Sequence, residues 1–256
     1  MSAILDAAKD IENAYTTRTP IAPVRDRISS VADAYAVQMA TVKSWLAQGR
    51  TIAGHKIGLT AKAVQAQLGV DQPDFGTIFS DMVLKDNADI SLTSVMQPRV
   101  EAEVAFVLKN DLKGEKITPE AVIAATDYIC PALEICGSRI AQWNIKIEDT
   151  VADNASAGLI VLGPQRHKAV LDELPKIAVT LHKNDAAAVS GIGAACLDNP
   201  AIAVAWLAEA LTKYGNGLSA GDVVMSGALA PMVAADAGQV FIGDFGAFGS
   251  VTARFA

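Results

Sequence analysis

Two glutamates, Glu101 and Glu103, stand two positions apart inside the apolar segment 98–108. Alternate side chains of a β-strand point to the same face, so these carboxylates are expected to lie roughly 6 to 7 Å apart. Carboxylates side by side in apolar surroundings resist burial unless a cation, a proton or a base offsets their charge. A third acid, Glu134, stands in a second apolar segment, 131–136. These acids are therefore candidates for chemistry that needs concentrated negative charge.

Three carboxylates together with water suit Mg²⁺ or Mn²⁺, which are hard cations that prefer oxygen ligands. The residue types thus indicate a metal site at Glu101, Glu103 and Glu134. The alternative is a solvated strand face, because Glu-x-Glu is also common on exposed strands. Spacing alone leaves both interpretations open.

A lysine, Lys56, stands between Gly54 and Gly58 at the end of an apolar stretch. Glycines permit close backbone approach, which would place the ammonium group beside an anionic ligand. The alternative is an ordinary charge on an edge strand. His55 alternates to the opposite face of a regular strand, so we expect it to be structural.

An aspartate in the segment 72–82, Asp74, follows a proline and precedes Phe75 and a glycine. This is a turn context that presents a carboxylate, although turn aspartates commonly do no more than form the turn. The same reservation applies to Asp81. A further segment, 149–156, is rich in side-chain donors and acceptors that would either cap a pocket or satisfy loop backbone.

Composition excludes several functional classes. The chain has 256 residues, 51% of them hydrophobic, which suits one domain with or without a small extension. A net charge of −7 argues against nucleic acid or an anionic membrane as the main partner. We find no apolar run long enough to span a bilayer and no secretory signal, and the three cysteines lack metal-ligand spacing. These features predict a cytoplasmic protein with buried free thiols.

Several familiar catalytic motifs are missing from the sequence. It contains no G-x-x-x-x-G-K-[ST], no G-x-S-x-G and no H-E-x-x-H. The glycines of 191–193 and 243–249 lack the strand-then-helix context of a dinucleotide site. None of the three histidines flanks a nucleophile signature, which argues against a Ser/His/Asp hydrolase.

The order of the predicted elements indicates an α+β fold. Helices are expected from Ser2 and after an N-cap at Ser30, and another between an N-cap at Asn199 and Gly215. Between and after them lie short β-rich runs without regular βα alternation, which favours a curved sheet assembly over a doubly wound fold. The runs are 51–57, 100–108, 128–135, 177–182, 223–225, 240–242 and 249–255.

Several ordered motifs resemble one enzyme family, the 2-oxopent-4-enoate (2-hydroxypenta-2,4-dienoate) hydratases. These belong to the hydratase/decarboxylase branch of the fumarylacetoacetate hydrolase superfamily. The similarity runs from about Ile21 to Phe255. The motifs are 54–60, 69–76, 98–103, 131–139, 149–156 and 226–229.

The resemblance implies a mixed β-sandwich roll with an N-terminal helical portion, which places a helical portion at 1–50 and a catalytic domain at 51–256. It implies Mg²⁺ or Mn²⁺ held by the three glutamates, and an oligomer of identical subunits. The site residues that it implies are Lys56 and Asp74 as the catalytic pair, Glu101, Glu103 and Glu134 as metal ligands, and Leu59, Ser156, Gly227 and Ala228 as substrate-binding residues.

The implied activity is a lyase that adds water to 2-hydroxypenta-2,4-dienoate to give 4-hydroxy-2-oxopentanoate, in the meta-cleavage degradation of aromatic compounds. One alternative is a 4-oxalocrotonate decarboxylase, which shares the metal carboxylates and the lysine motif. Asp74 favours the hydratase, because such decarboxylases tend to carry an apolar residue after the proline. Another alternative is a non-catalytic partner subunit of a hydratase/decarboxylase complex.

The expected partners follow from the same resemblance. They are a small 2-oxo or 2-enol carboxylic acid as substrate, further copies of the chain, and an aldolase or decarboxylase of the same pathway. The sequence departs from the family at Asp198 and Asn199, where relatives often carry Gly-His. We expect this change to affect the following helix cap or a pocket wall.

Overall fold

The computed structural model describes residues 2–62, 65–66 and 69–256. The chain begins with helices α1 (Ser2–Thr17) and α2 (Val31–Ala47), where the sequence predicts them. The N-cap Ser30 accepts a hydrogen bond at its hydroxyl from the Asp33 backbone N–H, at 3.1 Å. This bond satisfies one of the backbone donors that the first turn of a helix leaves free.

Further α-helices and strands follow in the described chain. In chain order they are β1 (Ile52–Gly58), β2 (Asp74–Phe79), β3 (Val83–Lys85), β4 (Ala88–Ile90), β5 (Arg99–Leu108), α3 (Pro119–Ala125), β6 (Thr126–Cys136), α4 (Ile147–Ala152), β7 (Leu159–Leu162), β8 (Ala178–Lys183), β9 (Ala186–Ile192), α5 (Pro200–Lys213), β10 (Val223–Ala228), β11 (Val233–Ala234), β12 (Val240–Asp244) and β13 (Ser250–Phe255).

The strands form two sheets. The larger has the order β2-β1-β10-β5-β6-β7-β3, with β11 paired to β5, and the smaller has the order β4-β13-β12-β8-β9. Pairs β1–β10, β3–β7 and β4–β13 are parallel, whereas β5 pairs with β6 and β10 in the antiparallel sense. The expected α+β class, with mixed sheets and a helical N-terminal part, is confirmed.

Both faces of the larger sheet are covered. On β5, Val104 and Phe106 point into the main core, while Ala105 points into a smaller apolar cluster on the other face. That smaller cluster includes Met225 from β10 and Trp45 from α2. Because strand side chains alternate between faces, the glutamates of β5 lie on the face of the smaller cluster. The alternative of a solvated strand face is therefore wrong.

The N-terminal helices share the main core with the sheets. Ile11 of α1 and Tyr35 of α2 are buried in the same cluster as Ile57 of β1. The division into a helical portion at 1–50 and a catalytic domain at 51–256 stays a prediction.

Helix α5 is strongly apolar, and most of its residues are buried. The segment Gly193–Lys213 has the length and hydropathy of a membrane span. More than half of its most apolar window is buried within the protein, as in a core helix of a globular domain. Its N-cap is Asn199, whose side-chain oxygen accepts from the Ala201 N–H at 2.9 Å.

Candidate active site

One face of the larger sheet collects the ionisable side chains. Direct partners in a sheet point to the same side, and Lys56 pairs with Met225 of the smaller apolar cluster, while Glu103 pairs with Ala132 of that cluster. Strand alternation extends this face along β1, β2, β5 and β6. The polar residues on it include Lys56, Asp74, Glu101, Glu103, Glu134 and Cys136.

The three glutamates converge because of the β5–β6 register. Glu101 stands directly opposite Glu134, and Glu103 is two residues farther along β5 on the same face. Glu103 and Glu134 are completely buried, and Glu101 is partly exposed. The register therefore places the three acids that the sequence predicts as metal ligands on one face of the sheet, and their role as ligands stays a prediction.

Several of these buried carboxylate oxygens lack a hydrogen-bond partner. Among the described residues, the unpartnered buried side-chain oxygens are Asp74 Oδ1, Glu103 Oε1, Glu134 Oε1 and Glu134 Oε2. Leaving a buried charged acceptor without a partner costs more than about 1–3 kcal/mol. Oxygen donors around one point are the ligands that Mg²⁺ and Mn²⁺ prefer, so the donor set fits such a cation.

Burial and mutual repulsion also alter the acidity of the cluster. Burial and the charge of Glu134 raise the pKa of Glu101 to about 7. Burial, with the charges of Glu134 and Glu101, raises the pKa of Glu103 well above its usual range. The cluster is thus short of positive charge, and a bound cation would reverse these shifts by stabilising the ionised carboxylates.

One cysteine lies inside the cluster. The Cys136 thiol donates to Glu101 Oε2 at 3.6 Å, and the nearest donor atoms of Glu101, Glu134 and Cys136 lie within 4.8 Å of one another. Burial raises the pKa of the Cys136 thiol well above its usual value, so it acts as a neutral donor. The prediction of free, buried cysteines is confirmed, but Cys136 was not predicted near the site. Its position two residues after Glu134 on one strand was the available signal.

Lys56 is a buried cation beside the acids of this face. Its side chain is 4% exposed, with Nζ 3.3 Å from Glu134 Oε1 and donating to the Ala155 carbonyl at 3.0 Å. Burial by itself lowers the pKa of Lys56, but the charges of Glu134 and of the other acidic groups around it together outweigh this effect and hold the pKa well above the ordinary value. Strand β1 lies between β2 and β10, so the edge-strand interpretation is wrong.

Asp74 faces Lys56 across a glycine. It is the first residue of β2, pairs with Gly58 and is 2% exposed, so the turn interpretation is wrong. A Cβ on Gly58 would lie 2.1 Å from Asp74 Oδ1 and 3.3 Å from Lys56 Nζ. Burial raises the pKa of Asp74 to about 6, against the opposing charge of Lys56. By contrast, Asp81 is exposed and pairs with Arg50 at 2.7 Å, away from this cluster.

The four predicted substrate-binding residues each adjoin a member of the cluster. Leu59 follows Gly58 and has a φ of 57°. Gly227 donates its N–H to Glu103 Oε2 at 2.8 Å, and Ala228 pairs with Glu103 across the sheet. Ser156 is buried directly after Ala155, the residue that holds Lys56. Their contact with a substrate stays a prediction.

His55 points to the face opposite Lys56. Burial lowers the pKa of His55 to about 4, so the ring is neutral at physiological pH. Its position agrees with the prediction of a structural rather than a catalytic residue.

The family departure at 198–199 affects a helix cap. Asn199 caps α5 and also donates from Nδ2 to the Leu171 carbonyl at 3.0 Å. Asp198 is exposed and pairs with Lys62 at 2.7 Å. The preceding residue, Leu197, donates its N–H to the Thr60 carbonyl at 3.2 Å, which links this cap to the segment after β1.

Comparison with known proteins identifies the family. A model described as fumarylacetoacetate (FAA) hydrolase C-terminal matches residues 19–256. The chain belongs to this family. It is 47% identical over 253 residues to 2-keto-4-pentenoate hydratase 2 of Dechloromonas aromatica (strain RCB), an alignment that covers 98% of this chain and 96% of that protein.

A second relative and a solved structure extend the comparison. The chain is 45% identical over 225 residues to 2-hydroxyhexa-2,4-dienoate hydratase of Comamonas testosteroni, covering 86% of this chain and 85% of that protein. The structure matches 4-oxalocrotonate decarboxylase from Pseudomonas putida G7, complexed with magnesium and adipate, with a TM-score of 0.93 and 33% identity. That match covers 99% of this chain and 97% of the decarboxylase. The expected family and fold are thereby confirmed.

Proposed function

We propose that this fumarylacetoacetate hydrolase family member is a metal-dependent hydratase. It adds water to 2-hydroxypenta-2,4-dienoate, the enol form of 2-keto-4-pentenoate, and yields 4-hydroxy-2-oxopentanoate in the degradation of aromatic compounds. The observation that carries the proposal is the placement of Glu101, Glu103 and Glu134 on one sheet face, where buried oxygens of Glu103 and Glu134 lack hydrogen bonds and Lys56 and Asp74 lie beside them. Relatives that act as hydratases of similar acids support the substrate class.

Glu101, Glu103 and Glu134 would hold Mg²⁺ or Mn²⁺. A divalent cation at this place supplies Lewis-acid stabilisation for negative charge on a 2-oxo acid. Glu134 has a second contact, because Lys56 lies 3.3 Å from its Oε1. Glu134 is therefore both a proposed metal ligand and the carboxylate partner of Lys56.

Lys56 and Asp74 are the proposed acid/base pair. The reaction requires loss of the 2-hydroxyl proton and protonation at C5, which gives the conjugated 2-oxo acid. Water then adds at C4 with loss of a proton, and C3 gains one. With a pKa raised to about 6, Asp74 can accept and return a proton near neutral pH. Lys56 remains an ammonium group that can donate a proton or offset substrate charge.

The proposed substrate contacts lie around this pair. Leu59 and Ser156 adjoin Gly58 and the carbonyl that holds Lys56, and Gly227 and Ala228 adjoin Glu103. A side chain at Gly227 would approach Thr60 Oγ1 to 2.4 Å, and its φ of 108° favours glycine. We further propose a homo-oligomer in the cytoplasm that associates with an aldolase or decarboxylase of its pathway.

The test is a comparison of turnover with and without metal. Loss of dienol ultraviolet absorbance, with the product identified as the substrate plus one water, should require Mg²⁺ or Mn²⁺ and should stop on addition of a chelator. Glu134→Gln should abolish the metal-dependent turnover. The matched control is Glu173→Gln, an exposed acid paired with Lys176, which should behave like the wild type. Metal-independent hydration would overturn the proposal.

The second candidate, 4-oxalocrotonate decarboxylase activity, is favoured by the structural match to such an enzyme. The same preparation given 4-oxalocrotonate should release little carbon dioxide if the hydratase assignment is correct. Rapid release with no hydration of the dienoate would establish the decarboxylase instead. Failure of both reactions would leave a non-catalytic partner subunit.

A further inference from the structure

The backbone that holds Lys56 has an unusual conformation. Ala155, whose carbonyl accepts from Lys56 Nζ at 3.0 Å, lies between Asn154 and Ser156, and the three have φ values of 54°, 51° and 55°. Non-glycine residues rarely adopt this left-handed conformation, and a run of three persists only when the surroundings impose it. We call residues 154–156 the left-handed run.

A buried ion pair brackets this run. Arg139 donates from Nε to Asp153 Oδ1 at 2.5 Å and from its backbone N–H to Asp153 Oδ2 at 2.9 Å. Its guanidinium group also donates to the Asp153 carbonyl at 2.8 Å and to the Ala157 carbonyl at 3.0 Å. Asp153 and Ala157 stand immediately before and after the left-handed run, so one side chain fixes both of its ends.

Other contacts hold the run against the sheet and the N-terminal helices. The Asn154 amide binds Thr77 on β2 twice, accepting from its N–H at 2.7 Å and donating to its carbonyl at 2.9 Å. The Arg139 guanidinium stacks on the Tyr15 ring of α1, 4.2 Å from its centroid. Arg139 is 2% exposed and Asp153 is fully buried, and neither is among the residues assigned to binding or catalysis.

We propose that the Arg139–Asp153 pair is a positioning device for Lys56. It forces the left-handed run, and the run aims the Ala155 carbonyl at the ammonium group and holds that group between Glu134 and Asp74. This inference rests on the proposed function for its catalytic consequence. Misplacing a reacting group by about 1 Å can cost roughly a hundredfold in rate, so a small shift of the run is enough to matter.

Asp149, in the helix that directly precedes Asp153, provides a matched control. Asp149 is also fully buried, also pairs with an arginine at 2.5 Å (Arg25), and stands four residues before Asp153. Its partners are in the N-terminal segment and the first turn of α4, and it makes no bond to the left-handed run. Asp149→Asn therefore tests a general loss of stability without the proposed loss of position.

The experiment compares Asp153→Asn and Arg139→Lys with Asp149→Asn. We expect the first two to lower kcat by about 10- to 100-fold with KM and Mn²⁺ affinity within twofold of wild type. Asp149→Asn should keep kcat within threefold, at a similar loss of thermal stability. If Asp153→Asn does not fold, Arg139→Lys, which keeps the charge but loses the bridging bonds to two carbonyls, carries the same expectation.

A second measurement does not depend on turnover. The ¹⁵Nζ resonance of Lys56, assigned by its absence in Lys56→Arg, should shift in Asp153→Asn and Arg139→Lys and stay in place in Asp149→Asn. An unmoved resonance in the first two, or equal kcat losses in all three variants, would overturn the inference. If wild type hydrates no dienoate, the proposed function fails, and the resonance still decides whether the pair positions Lys56.

Discussion

Two groups of buried acids in this molecule have opposite relations to their surroundings. In helix α4, Asp149 accepts four hydrogen bonds, from Val24, Arg25 and Lys146, and directly after the helix Asp153 binds Arg139 through both oxygens. In the cluster on the larger sheet, Glu134 has no hydrogen bond to either oxygen. The carboxylate oxygens are fully hydrogen-bonded in the first region, and several of them accept no hydrogen bond in the second.

The difference separates a structural role from a functional one. Burial raises the pKa of Asp153 to about 6 against the opposing Arg139 charge, so Asp153 is ionised at neutral pH. Burial, together with the charge of neighbouring acids, raises the pKa of Glu101 to about 7 and raises that of Glu103 well above its usual range. Asp149 and Asp153 each pair with an arginine, whereas the three glutamates lie beside a single buried lysine, Lys56, which contacts Glu134.

The largest expected effect is that of Glu103→Gln. A metal site that supplies about 4 kcal/mol of transition-state stabilisation corresponds to roughly a 10³-fold loss of turnover. Removing one repelling acid should leave the free energy of unfolding of the metal-free protein unchanged or higher. Steady-state kinetics and urea denaturation in chelator measure both. Full activity in this variant would show that Glu103 is not needed to bind the metal.

In the cluster on the larger sheet, Asp74→Asn should impair proton transfer and leave metal binding largely unchanged. We expect turnover to fall by about 10²-fold or more, because the substituted amide cannot carry a proton between substrate atoms. Mn²⁺ affinity, measured by calorimetry, should change less than threefold. Equal hydration rates in wild type and variant would mean that Asp74 only starts strand β2.

In the paired group, Asp149→Asn should act on stability alone. Leaving the Arg25 charge without its partner should cost about 3 kcal/mol of unfolding free energy, since breaking a buried ion pair exposes the full desolvation penalty. Chemical denaturation at pH 7 measures this loss. A free energy of unfolding equal to that of the wild type would show that the hydrogen bonds of Asp149 do not stabilise the fold.

The smallest effect concerns pH. In the metal-free protein the pKa of Glu101 is about 7, and a metal ligand must be deprotonated, so protons and metal compete below that pH. Mn²⁺ affinity should therefore fall by at least about fivefold from pH 7 to pH 6. Titration calorimetry across this range measures it. A flat profile would show that Glu101 does not bind the metal.

Much of the local structure follows from the sequence. Caps at Ser30 and Asn199 mark the starts of α2 and α5, and the predicted run 100–108 becomes β5 (Arg99–Leu108) within one residue. The predicted run 128–135 becomes β6 (Thr126–Cys136). Strands β3, β4, β7, β9 and β11 were missed, because strand formation depends on the neighbouring strands as well as on a segment's own residue types.

The sequence by itself determined that Glu101 and Glu103 share a face, because strand alternation is a property of the backbone. It also determined the family, through ordered motifs. Only the tertiary structure decided that Glu134 stands opposite Glu101, that Asp74 begins a buried strand beside Lys56, and that residues 154–156 turn left-handed. The physical reason is that register, burial and charge repulsion depend on residues far apart in the chain, while helix caps and alternation depend on neighbours.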